Sequence, residues 1–177
     1  MSSSTWDALE KRLNAVKKPV NVFRLCDDPE IRSRYLAARR ESEQADAYLA
    51  GLPKDAGADT AIARVQAEQQ AKDARTALTA AQKAYDAHTV MLRFQALERQ
   101  ALEELLAKHP PSEQDEENGS EFAEDFMPAL IAAASLDGMP EEAAARFMRT
   151  WTPSDARSLW QAAWSVQHTQ RTDLGKD

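Results

Sequence analysis

The sequence predicts a mainly α fold with a small β element: two short strands flanking a long antiparallel helical hairpin, followed by a C-terminal helical domain. Three observations predict it. Glycine is scarce, at 5 of 177 residues, while Ala, Glu, Gln and Arg are abundant, a composition that favours helix. Apolar residues recur at helical spacing along most of the chain. Only two stretches, 20–25 and 89–94, carry the β-branched and aromatic runs expected of strands.

The elements follow in order. Thr5 can cap a short helix bearing Trp6, Leu9, Leu13 and Val16 at helical spacing, which Lys17-Lys18-Pro19 ends. Val20-Asn21-Val22-Phe23-Arg24-Leu25 is the first strand. Asp28-Pro29-Glu30 opens a helix: the carboxylate accepts from an orphan N–H, proline suits the first helical position, and Glu30 favours the positive dipole end. Ile31, Tyr35, Ala38, Ser42, Ala45 and Leu49 form its seam, and Gly51-Leu52-Pro53 stops it. A longer helix over 59–87 answers with Ala67, Ala71, Ala74, Leu78, Ala81 and Tyr85, leaving Ile62 and Val65 out of phase. At 1.5 Å per residue the two helices measure about 33 and 43 Å, and they read as a hairpin projecting from the body. The second strand follows, antiparallel to the first.

Leu97 to Lys108 supplies a helix for the strands, with Leu97, Leu102, Leu105 and Leu106 apolar and His109-Pro110-Pro111 as its end. Ser112 to Glu121 is polar and reads as a mobile loop. Beyond it Pro128 opens a helix over 129–136, Asp137-Gly138 breaks it, and Pro140-Glu141-Glu142 opens the next, bearing Ala144, Phe147, Met148 and Trp151. Thr152 and Asp155 form a capping box before a last helix whose face is Ala156, Leu159, Trp160, Ala163 and Trp164. The expected organisation is a strand–hairpin–strand–helix domain over 1–109, an acidic linker over 110–121, a helical domain over 122–170 and a polar tail over 171–177.

Charge narrows the function. The formal net charge is −7, from 22 Lys+Arg and 29 Asp+Glu. Ten acids and no Lys or Arg fall within 109–145, which repels phosphate and argues against nucleic acid there. No apolar run reaches the ~18 residues of a membrane span, and MSSSTWDALE lacks the apolar core of a signal peptide. The single cysteine, Cys26, excludes an intrachain disulfide framework and fits a reducing compartment. Its neighbours Asp27 and Asp28 do not favour a reactive thiolate. Histidines 88, 109 and 168 have no partners at metal-ligand spacing, Asp137-Gly138 lacks the other acids of a calcium loop, and no phosphate-cradling glycine motif or nucleophile elbow is present. The expectation is a non-enzyme with no cofactor, no metal, no membrane and no nucleic-acid partner.

The densest aromatic group is C-terminal: Phe122, Phe126, Phe147, Met148, Trp151, Trp160 and Trp164. It reads either as the core of a small helical domain or, in part, as a groove for a partner helix. The candidate partner-binding residues are Phe126, Met127, Phe147, Met148, Trp151, Trp160 and Trp164.

Several segments together resemble a family. They are Arg24-Leu25-Cys26-Asp27-Asp28-Pro29-Glu30 after the first strand; Phe94-Gln95-Ala96-Leu97-Glu98-Arg99 and Leu102 to Pro111 after the second; and the acidic spacer, Phe126-Met127-Pro128-Ala129-Leu130-Ile131-Ala132-Ala133 and the Trp160 helix. In this order, over residues 18–168, the chain resembles the tail assembly chaperones of long-tailed phages that infect actinobacteria. These are packing and turn motifs, not a catalytic signature. The resemblance implies a protein of the infected host's cytoplasm, absent from the mature virion, that binds the long helical tape measure protein. It would keep that protein soluble until the major tail protein, a further partner, polymerises around it. Self-association is expected with this role. The alternatives are a structural head–tail connector or minor tail protein, and a nucleic-acid-binding regulator using the basic N-terminal region.

Overall fold

The computed structural model describes residues 5–53, 57–117 and 119–172. It is mainly helical with one two-stranded antiparallel sheet, as expected. The chain forms two compact units. One is residues 24–91; the other joins residues 1–23 to 92–177.

The first unit is the helical hairpin. Helix α2 (Pro29–Gly51) begins where the sequence places it, because Asp28 Oδ1 accepts from the Glu30 and Ile31 N–H groups at 2.8 and 3.2 Å. Helix α3 (Ala58–Ala87) packs along it. The predicted seam is the buried stripe: Ser42, Ala67 and Ala71 are fully buried, and the other seam residues are half-buried. Alanine lets the backbones approach but gives each position little area, at about 25 cal/mol per Å². Tyr35 stacks on Tyr85 at 4.5 Å near one end of the hairpin, and Arg75 Nη2 reaches Asp46 Oδ1 at 2.7 Å across the pair. Ile62, Val65 and Tyr48, off the seam, stay exposed.

Strands β1 (Val20–Cys26) and β2 (Thr89–Gln95) pair within the one chain. The Asp27 N–H donates to the His88 carbonyl at 2.9 Å, and the Ala96 N–H donates to the Pro19 carbonyl at 3.1 Å. Both bonds fit one register, which sets Phe23 opposite Leu92 and Asn21 opposite Phe94. One sheet face is covered by the second unit's helices: Phe23 and Phe94 are buried, and Asn21 Nδ2 donates to Ser165 Oγ at 2.9 Å. Alternation turns Val20 and Val22 to the opposite face, where they remain exposed.

The second unit begins with helix α1 (Thr5–Asn14). Thr5, which was expected to be its cap, lies within the helix. After β2 come α4 (Arg99–Lys108), α5 (Glu113–Glu117), α6 (Phe126–Ala134), α7 (Glu141–Thr150), α8 (Pro153–Ser165) and a 3₁₀ turn, Val166–His168. Thr152 caps α8 as expected: its Oγ1 accepts from the Asp155 N–H at 3.2 Å and donates to Asp155 Oδ2 at 2.7 Å.

Three expectations are corrected. The polar stretch after Pro111 is not all loop. Ser112 Oγ accepts from the Asp115 N–H, while Asp115 Oδ2 accepts from the Ser112 N–H and Oγ at 2.9 and 2.6 Å, and this reciprocal cap nucleates α5. Helix α6 starts at Phe126, not after Pro128. A proline is tolerated in a first turn because the N–H it lacks would have had no helical partner. The division at 110–121 is also redrawn. Leu97, Leu102, Leu105 and Leu106 pack against Phe126 and Leu130, so α4 shares one core with the C-terminal helices. Linker polarity does not prevent apolar faces on either side of it from meeting. Of the expected tail, residues 173–177 lie outside the described residues.

Candidate partner-binding surface

The core of the second unit sorts the aromatic group by depth. Phe126 is fully buried, with Leu130, Ile131, Leu159 and Val166. Phe122, Trp160 and Trp164 are half-buried around it. Trp160 stacks on Trp164 at 5.4 Å, and Phe122 meets the Trp164 edge at 4.8 Å. Rings at these distances and angles match the quadrupole preference for offset and edge-on pairs. His168 closes the row, 4.5 Å from Trp164. Gln167 fixes the approach of α4: its Oε1 accepts from the Leu97 N–H at 2.8 Å and its Nε2 donates to the Ala163 carbonyl at 3.0 Å.

A second aromatic set lies at the end of α7. Phe147 stacks on Trp151 at 4.6 Å, Trp151 lies 6.0 Å from Phe23, and the Arg146 guanidinium sits 5.1 Å from the Phe147 ring centre.

The third feature is a groove of about 480 Å³ between the start of α6 and the face of α7. Met127, Pro128, Ala145 and Met148 give it an apolar lining, and Glu124, Asp125, Glu141 and Arg149 complete it. Glu141, Ala145 and Met148 recur at i, i+4 and i+7, so one face of α7 supplies a whole wall. Methionine is unbranched and adapts to irregular apolar surfaces. The groove therefore offers an adaptable apolar lining beside an acidic margin.

The predicted binding residues thus do not form one surface. Met127 and Met148 line the groove. Phe147 and Trp151 form a set with Phe23. Phe126 is withdrawn from the candidates: a ring with no exposed surface is core. Trp160 and Trp164 serve mainly as the wall of that core. Glu124, Asp125, Pro128, Glu141, Ala145 and Arg149 were not singled out in the sequence as binding residues. The α7 wall was legible as a helical stripe, but its pairing with the residues around Pro128 depends on tertiary packing.

The histidines have local partners. His88 Nδ1 lies 2.9 Å from Asp27 Oδ1, and His109 Nδ1 lies 3.0 Å from Asp125 Oδ2 without hydrogen-bond alignment. Among the described residues no three His, Cys, Asp or Glu side chains gather as a metal site, and no helix is long and apolar enough to cross a membrane. In comparison with known proteins, no family model, no curated protein and no solved structure matched this chain.

Proposed function

We propose that the chain is a phage tail assembly chaperone that binds the tape measure protein and keeps it soluble during tail assembly, without turning over a substrate. The observation that carries this reading is the methionine-lined groove between α6 and α7. A tape measure is a long helical rod whose apolar stripes aggregate when bare. Covering it takes shallow, adaptable apolar sites, not one deep pocket. The segment order that resembles the chaperone family supports the same reading. The site of action is the cytoplasm of the infected host, and the major tail protein is the partner that displaces the chaperone.

Co-expression with the tape measure tests it. The soluble fraction of the tape measure should rise several-fold with the intact chain. Met127→Glu with Met148→Glu, which places two charges in the groove, should abolish the gain while the chain remains folded. Equal insolubility with and without this chain overturns the proposal. Mass spectrometry of purified particles should find the chain absent; its presence at structural stoichiometry would make it a virion component instead.

A further inference from the structure

Helix α1 (Thr5–Asn14) buries none of its residues. A helix shorter than about 12–15 residues is marginal in water, and most such helices draw their stability from packing an amphipathic face. That face is present. Trp6, Leu9, Leu13 and Val16 follow one another at spacings of three, four and three, and each is between 45% and 61% exposed. The Val16 N–H donates to the Leu13 carbonyl at 3.1 Å, which carries the stripe past the last turn. Arg12 borders the stripe on one side, three residues after Leu9 and four before Val16. Glu10 borders it on the other, four residues after Trp6 and three before Leu13.

The groove between α6 and α7 is the counterpart of this face. Its methionines adapt to large apolar side chains. Its margin offers both bordering charges an opposite: Glu124, Asp125 and Glu141 for Arg12, and Arg149 for Glu10. The groove of about 670 Å³ on the hairpin fits less well. Ala45, Ala74 and Ala77 give it little apolar area, and Glu41 and Asp73 offer nothing to Glu10. Nor does α1 sit in the α6–α7 groove of its own copy. Its connection to the sheet is held at two points: Arg171 Nη1 donates to the Lys17 carbonyl at 2.8 Å, and the Ala96 N–H donates to the Pro19 carbonyl at 3.1 Å. With those bonds in place the stripe is exposed.

We propose that α1 of one copy of this chain docks its Trp6–Leu9–Leu13 stripe in the α6–α7 groove of a second copy. The contact is heterologous, because each copy carries one helix and one groove. It is also small. At ~150 Å² for each large apolar side chain, the stripe has on the order of 300 Å² left to cover, and the two sides together stay below the ~1,200 Å² of a stable interface. The pair is therefore weak and reversible. A client helix laid in the groove would displace α1, so self-association and client binding compete. The inference shares its site with the proposed function but does not rest on it, and its test needs no tape measure.

The experiment is sedimentation equilibrium of the whole chain from about 10 to about 300 μM, the range in which mass action populates a weak pair. The mass should climb above the 19.7 kDa of one copy. Leu9→Glu with Leu13→Glu, both on the exposed face, should hold it at one copy, and so should Met127→Glu with Met148→Glu. An equimolar mixture of these two variants should reach twice 19.7 kDa and no more, since one keeps the groove and the other keeps the helix. In the unaltered chain carrying ¹³C-methyl methionine, the Met127 and Met148 signals should move with concentration, while Met91, exposed and outside the groove, stays still. A single-copy mass throughout overturns the proposal. Association that survives in either variant alone, or a mixture that stays at one copy, overturns it too. If the groove variant fails to fold, the methyl signals of the unaltered chain decide: no movement at Met127 and Met148, or equal movement at Met91, overturns it.

Discussion

Arg93 and Asp137 stand 44 residues apart and meet through three bonds: the Arg93 N–H to Oδ2 at 2.7 Å, and Nε and Nη2 to Oδ1 at 3.1 and 2.6 Å. The guanidinium and the backbone N–H hold the Asp137 carboxyl below the ordinary range, and the carboxylate holds Arg93 above its own. The sign of the pH effect follows. A carboxyl depressed in the folded state stabilises the fold above its unfolded pKa of ~3.9, and that contribution is lost as pH falls through the lower folded value. Asp137→Asn should therefore lower the urea midpoint at pH 7, and the gap from the unaltered chain should narrow as pH falls below the unfolded value and close once the folded carboxyl is protonated. A gap that stays unchanged as the pH falls through the acid range would mean Asp137 acts by shape, not charge. In the sequence Asp137-Gly138 was legible only as a helix breaker. Gly138 does adopt a positive φ of 73°, but nothing local names an arginine on a distant strand as the partner.

Most elements that the sequence made legible have a local cause. The Asp28 cap, the Thr152 capping box, the β-branched and aromatic run of β1 and the four–three seam of the hairpin all act within a few residues, and all stand where the sequence puts them. Helix α5 was missed because its charge suggests solvation, while the Ser112–Asp115 cap that starts it occupies only two side chains. The seam also sets a prediction. Ala71 is 1% exposed where α2 and α3 pass closely, so added side-chain volume must push the helices apart. Ala71→Leu should destabilise the chain by about 1–3 kcal/mol, read from urea unfolding. Ile62→Ala, off the seam and exposed, should change it by less than about 0.5 kcal/mol. Equal effects would deny the alanine seam its role.

At the scale of the molecule, the sequence could not say which segments share a core. It grouped the hairpin with α4, yet Leu102 and Leu105 of α4 pack against Phe126 and Leu130 of the C-terminal helices. Helical periodicity says that a face is buried and not against what. The division that the fold does make lies within the strands, at Phe23 and Leu92, and it carries the last prediction. Asp27 and His88 form a bonded pair at the hairpin end of the sheet. A two-residue type I′ turn joins such a pair directly. Replacing residues 28–87 with Asn-Gly should leave β1 and β2 in register, and the largest fully buried side chains, Phe94, Phe126, Leu130, Ile131, Leu159 and Val166, all lie outside the excised segment. Shortening the connection also lowers loop-closure entropy, by about 0.6 kcal/mol for each halving. The shortened chain should unfold in one cooperative transition, within about 2 kcal/mol of the same transition in the whole chain. Its tryptophan emission should keep the wavelength given by half-buried Trp151, Trp160 and Trp164. A chain that emits at the wavelength of free tryptophan and melts without cooperativity would show that the hairpin is part of the core, and the division into two units would fall with it.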